Sequence, residues 1–283
     1  SIKYIFNMYK FSTSQKIFIA KILSKILIFF IGNKKKIIER DGIIYFIDLA
    51  EGIDLGIFLN IKNEKKIYNI GQILGDNITI VDVGSNVGSV TLPLAKKFSN
   101  SKIISIEPTV YAFSKLKKNI DLNPVLKKRI KLENTFISNS KKIVNEVHSS
   151  WNLSNDSKKH KVHLGTLKKT SKKIKKLDKV CSNVKKVDFI KIDVDGHELD
   201  VLKSGIKTIK KHKPFIYFEF APYLYKEFHY TPEILINFIK KDLNYLFYDE
   251  KLKEVSNIKS FIKKLKISSQ NFFLIHKSFK NKG

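Results

Sequence analysis

The chain has 283 residues, 43% hydrophobic and 12% aromatic, enough for one large domain with an appendage and too apolar for a disordered or collagen-like chain. Fifty-four Lys and Arg against 26 Asp and Glu leave a net charge of +28, which taken alone directs attention to nucleic acid or an anionic surface. Only Arg40 and Arg129 are arginine, however, and Lys lacks the flat bidentate fork that reads phosphates and bases, so the composition argues for a solvated Lys-rich surface and against nucleic acid.

Residues 1–36 read as a basic amphipathic helix. Ile17 to Ile31 is the most apolar stretch, yet its 15 residues fall short of the roughly 20 that span a bilayer, and Lys21, Ser24 and Lys25 interrupt it. No small-residue cleavage site follows, only Lys34, Lys35 and Lys36, which argues against a signal peptide. Lys21, Ser24, Lys25 and Ile28 share one helical side, leaving a wide apolar face. That face is expected to pack on the body of the protein or on a second copy in a homodimer, with peripheral contact at the inner membrane surface as the alternative. The single Cys181 excludes an intramolecular disulfide and suits a cytoplasmic address.

Residues 37–75 form a lead-in, in which Ile37-Ile38 and Ile43 to Ile47 flank Asp41-Gly42, a two-residue hairpin signal. From residue 76 to the end the pattern alternates strand, turn and helix. Strands are expected at Ile78–Val83, Lys102–Glu107, Ile130–Glu133, Val187–Asp193 and Pro214–Phe220, with two more at Tyr245–Asp249 and Asn271–Ile275. The alternation predicts an α/β fold with a parallel, doubly wound sheet. The Lys/Ser/Asn-rich stretch from Ser138 to Lys186 reads as a long mobile excursion.

Three constellations carry chemistry. The first is Asp82-Val83-Gly84-Ser85-Asn86-Val87-Gly88, a glycine turn at the carboxyl end of a strand, where ligands of open parallel sheets bind. Asn86 stands where a nicotinamide fingerprint has its second glycine, so the turn suits a nucleoside without a pyrophosphate. The second is Glu107-Pro108, placed so that the carboxylate can accept hydrogen bonds from both hydroxyls of a bound ribose. The third is the run Phe189-Ile190-Lys191-Ile192-Asp193-Val194-Asp195-Gly196-His197-Glu198, a buried strand that ends in four ionisable residues. Helix capping by Asp195 to Glu198, and metal binding by the same acids and His197, are the competing readings of that run.

These three motifs, with Leu177-Asp178 before the last, resemble the FkbM family of S-adenosylmethionine-dependent methyltransferases over roughly residues 75 to 220. Ser85, where Ala is common, Asp195, where Glu is common, and Pro93 inside the first helix of the sheet depart from the pattern. The resemblance implies a Rossmann-like methyltransferase fold of seven strands, the last antiparallel. It implies S-adenosyl-L-methionine as cofactor, held by Asp82, Gly84, Ser85, Asn86, Gly88, Glu107 and Pro108. It also implies O-methylation of a sugar or related small-molecule hydroxyl; since the acceptor proton must leave, Asp193 and His197 are the candidate bases, and no residue is assigned as a metal ligand. Asp195 and Glu198 are expected to orient or bind the acceptor, and Glu219, Tyr223 and Trp151 to line its site. An RNA methyltransferase and a membrane-surface glycan-modifying protein are the alternatives.

Overall fold

The computed structural model describes residues 13–61, 65–149, 153, 166–262, 265 and 268–282; Trp151 lies outside them. Helix α1 (Thr13–Ile31) leads into a hairpin of β1 (Lys35–Arg40) and β2 (Ile43–Asp48). Asp41 and Gly42 both take positive φ, 50° and 67°, the left-handed pair that a tight hairpin demands. Helix α2 (Gly52–Phe58) follows, and helical turns over Lys65–Ile70 and Gly71–Leu74 close the lead-in.

The face of α1 that packs is the one expected to be polar. Ser24 is buried and its hydroxyl donates to Leu49 O at 2.7 Å, with Ala20, Leu27, Ile28 and Ile31 lying against the apolar cluster of the hairpin beside it. The wide apolar face stays outside. The helix carries apolar stripes on two opposite sides, and the short Ser24 hydroxyl can satisfy a buried carbonyl, which keeps the serine side compatible with burial.

The sheet is built from β3 (Thr79–Val83), β4 (Lys102–Ile106), β5 (Ile130–Glu133), then, after the excursion, from four later strands. Just before and within the excursion, β6 (Phe136–Ile137), β7 (Glu146–Ser149), β8 (Thr166–Lys169) and β9 (Ile174–Lys175) form two small pairs, β6 with β9 and β7 with β8. Among the described residues this stretch is therefore tied down rather than structureless, because Phe136, Ile137, Leu177 and Val180 bury apolar side chains at its two ends. The later strands are β10 (Phe189–Ile192), β11 (Phe215–Phe220), β12 (Tyr245–Tyr248) and β13 (Gln270–His276).

The seven strands order as β12-β13-β11-β10-β3-β4-β5, with β13 antiparallel to both β11 and β12 and the other pairs parallel. This is the seven-stranded doubly wound sheet that the sequence implied. Strand alternation sends Val81, Val83, Ile190, Ile192 and Phe218 to one layer and Ile80, Ile103, Phe189 and Tyr217 to the other. Helices α3 (Thr91–Lys97) and α4 (Val110–Asp121), α5 (Glu198–Ser204) and α6 (Ile206–His212) complete the frame. Leu94 and Ala95 of α3 cover the second layer, and Leu199, Val201 and Ile209 cover the first. Pro93 falls within the first turn of α3, the one place where its missing N–H costs nothing.

The hairpin is fastened to the sheet through two amides, Asn119 of α4 and Asn123 just beyond its end. Asn123 accepts from Ile44 N and donates to Ile44 O, at 3.0 and 2.7 Å, so it pairs with the open edge of β2 as a third strand would. Asn119 accepts from Phe46 N at 2.7 Å and donates to Val87 O at 2.8 Å. No described helix is long and apolar enough to cross a membrane.

Candidate active site

The glycine turn sits between the tips of β3 and β10. Gly84 has φ +84°, and a Cβ there would stand 1.9 Å from Asp193 O. Glycine is thus required by the approach of the protein's own second loop, a reason different from the cofactor contact first assigned to it. Ser85 has its hydroxyl turned inward, donating to Asp82 O and accepting from Ile106 N, both at 2.9 Å, so it stitches β3 to β4. Asn86 donates its N–H to Glu107 Oε2 at 2.9 Å and leaves Oδ1 buried without a hydrogen-bond partner. Gly88, at φ +88°, fits beneath Leu116.

Glu107 is buried and acts first as a strut. Oε1 accepts from the N–H and hydroxyl of Thr109, at 2.9 and 2.6 Å, while Oε2 takes Asn86. Loss of solvent pushes its carboxyl above the usual range, and the bonds from Thr109 and Asn86 oppose that rise. Thr109 in turn caps α4 through Ala112 N, and Pro108 O accepts from Ser171 N. A lone pair of Oε2 remains for a ligand hydroxyl.

Lys191, overlooked as a functional residue in the sequence, ties the floor together. Its ammonium is 3% exposed, donates to Gly84 O at 3.1 Å, and lies 3.4 Å from Asp82 Oδ1 and 3.3 Å from Asp193 Oδ2. Thr91, also overlooked, donates to Asp82 Oδ2 at 2.6 Å. The available signal was a lysine inside an otherwise apolar buried strand, which needs an internal partner.

Beyond β10 the chain reverses through Asp195, φ 48°, and Gly196, φ 102°, where a Cβ would strike the Phe228 ring at 2.3 Å. Glu198 is closed off beneath this turn. It accepts from Gly196 N at 3.1 Å, and the Tyr230 hydroxyl donates to Gly196 O at 2.7 Å. Of the two roles expected for Glu198, orienting and substrate binding, this placement suits the first. His197 packs its ring between Phe136 and Phe228, with centroids 5.0 and 4.1 Å away.

Asp193, Asp195 and Glu219 converge. Each offers a carboxylate oxygen, and these oxygens lie within 4.8 Å of one another, the sole such group among the described residues. Asp195 is exposed over its residue area, yet its carboxyl sits in a crowded recess. That lost solvent, then the charges of Asp193 and Glu107, pushes it up to about 7. Burial first, then the neighbouring Asp193 and Asp195, hold Glu219 well above the usual carboxylate range. Burial raises Glu198 to about 8 and, with the Glu219 charge, the half-buried Tyr223 to about 12. Carboxylates this close resist ionising together unless a cation or proton offsets them.

Comparison with known proteins decides what this site belongs to. A sequence profile of the methyltransferase FkbM domain matches residues 82–247. The chain belongs to the FkbM methyltransferase family. It is similar to Methyltransferase 1 of Beauveria bassiana, 26% identical over 163 residues that make up 49% of this chain and 62% of the relative. It is also similar to Methyltransferase sdnD of Sordaria araneosa, 26% identical over 204 residues, 62% of this chain and 77% of that one. A solved methyltransferase FkbM from Methylobacillus flagellatus aligns with TM-score 0.42 and 17% identity, covering 70% of this chain and 44% of its own. The chain thus spans less than two thirds of the first of these relatives.

The FkbM domain is of the S-adenosylmethionine-dependent kind, and the residues present fit that cofactor. The orphaned Asn86 Oδ1 and the open lone pair of Glu107 Oε2 offer acceptors for ligand N–H and O–H groups. The acids Asp193, Asp195 and Glu219 gather beside the Gly84 turn, a setting compatible with a cationic sulfonium.

Proposed function

We propose that this FkbM protein is an O-methyltransferase acting on a hydroxyl of a sugar, glycan or related small metabolite. The observation that carries the reading is the convergence of Asp193, Asp195 and Glu219 beside the Gly84 turn, at the carboxyl edge of the sheet. When bound, S-adenosylmethionine supplies an electrophilic methyl group on sulfur. Asp82, fixed by Thr91 and Lys191, and Glu107, fixed by Thr109 and Asn86, give the donor pocket rigid walls. Such rigidity matters because methyl transfer requires the acceptor oxygen in line with the breaking bond, and positioning supplies much of the acceleration.

As the oxygen–carbon bond forms, the acceptor proton must leave. Asp193, 37% exposed at its side chain, faces the site and is the proposed base, and Asp195 beside it is poised near neutrality to share the proton. His197 is the second candidate base, and its aromatic packing also shapes the wall. Glu219 and Tyr223 would meet the acceptor's other hydroxyls, and Trp151 is assigned to the same surface from sequence alone. A cytoplasmic setting agrees with the lone Cys181, which is buried with its thiol pushed up to about 12 by loss of solvent, then by Asp178.

RNA is the less favoured acceptor because neither arginine is free to read it. Arg40 holds Phe58 O through Nε and Nη2 at 3.1 and 2.7 Å, and Arg129 holds Ala95 O and Phe98 O at 2.7 and 2.9 Å. The test is calorimetry with S-adenosylmethionine and its demethylated product, followed by transfer of labelled methyl to separated polysaccharide, lipid and RNA fractions. Uptake with label in carbohydrate is expected. No binding by folded protein, or label confined to RNA, overturns the reading.

A further inference from the structure

The packing of α1 leaves one side of the helix bare. At about 100° per residue, Phe18, Ile22, Ile26, Phe29 and Phe30 fall within an arc of about 120°, centred opposite Ser24. Their exposures are 65, 44, 47, 81 and 80%. Two almost fully exposed phenylalanines side by side on a helix are unusual, since contiguous apolar surface normally finds a cover. Lys25 lies at the margin of this arc and is exposed, and Lys34, Lys35 and Lys36 follow the helix, all exposed. The first 38 residues contain eight Lys and no acid; the first acid is Glu39.

We propose that this face of α1 docks on an anionic lipid surface, lying in the plane of the interface with its five apolar side chains in the acyl boundary and its lysines among the headgroups. Charge complementarity selects this occupant. A second copy of the chain would bring a like-charged segment against the first, whereas phosphate headgroups neutralise the lysines as the phenylalanines leave water. The opposite face is anchored by Ser24 and the hairpin, so the protein presents the stripe without rearranging. The inference stands independently of the methyl acceptor.

The test is flotation of the whole chain with vesicles of phosphatidylcholine alone or mixed with phosphatidylglycerol. Binding to the mixed vesicles is expected to exceed binding to the neutral ones by about tenfold, and to fall at about 1 M salt, where the screening length is about 3 Å. The triple variant F18S/F29S/F30S should lose about tenfold in binding while keeping the wild-type melting curve, because its three side chains are exposed. Wild-type protein that stays off anionic vesicles overturns the proposal, as does a variant that binds them unchanged. A dimer in sedimentation that the variant converts to monomer, without vesicle binding, would overturn it too and assign the face to a second copy.

Discussion

At the tips of β10 and β11 three carboxylates crowd within 4.8 Å of one another, whereas the first 38 residues hold eight lysines and no acid. The net charge of +28 describes the second place and not the first. In the pocket, burial and mutual repulsion turn ordinary acids into groups that hold protons near neutrality. On α1 Lys25 is exposed, and the surface proposed to dock is apolar. The chemistry we propose therefore lies in the region whose local charge opposes the total, and the proposed adhesion in the region that follows it.

This contrast can be broken at several points. The largest effect is expected from Asp193→Asn, which should lower turnover about 10²- to 10⁴-fold, measured with saturating donor and acceptor, without changing vesicle binding. Lys191→Met should cost about 3–5 kcal/mol in urea unfolding, because it leaves Asp82 buried beside an apolar group.

The pH dependence sharpens the comparison next. Asp195 serves as a proton acceptor only when ionised, so kcat/KM should rise through about pH 7, and Asp195→Asn should remove that limb. Stability should move the other way. The Glu198 pKa is raised in the folded state, so its contribution is full below the unfolded value and is lost as pH rises through about 8. Melting temperature should therefore fall across that window, and Glu198→Gln should flatten the fall. Smaller still, Ser85→Ala should cost about 1 kcal/mol, since its hydroxyl joins β3 to β4 without reaching the pocket. A loss of donor affinity in Ser85→Ala, out of proportion to that cost, would show that this hydroxyl serves the ligand after all.

Much of the fold was legible because periodicity and turn chemistry are local. Asp41-Gly42 marked the hairpin, and short apolar runs ending in Gly84, Glu107 and Asp193 marked three of the parallel strands, though not their order in the sheet. The face by which α1 packs was not legible. Apolar residues on both of its sides make periodicity ambiguous, and the packed side meets Leu49 O, a carbonyl 25 residues away to which Ser24 donates. The site was legible as a set of residues and less so as a division of labour. Glu107 and Glu198 carry the same group as Asp193, yet their hydrogen bonds to backbone N–H groups make them struts, and those bonds depend on loops meeting in space. Lys191 escaped attention because a strand buried on both faces gives no alternation to mark an internal ion pair.

The two-headed amide of Asn119 has a consequence for how the lead-in and the catalytic domain move. One end grips Phe46 in the hairpin and the other grips Val87 inside the glycine turn proposed to hold the donor, both at hydrogen-bond distance. Hydrogen bonds thus link α1 to the end of β2 through Ser24 and Leu49, and β2 to that turn through Asn119. The extension is thus less a tether than a splint: whatever holds the first helix still also steadies the floor on which the reaction runs.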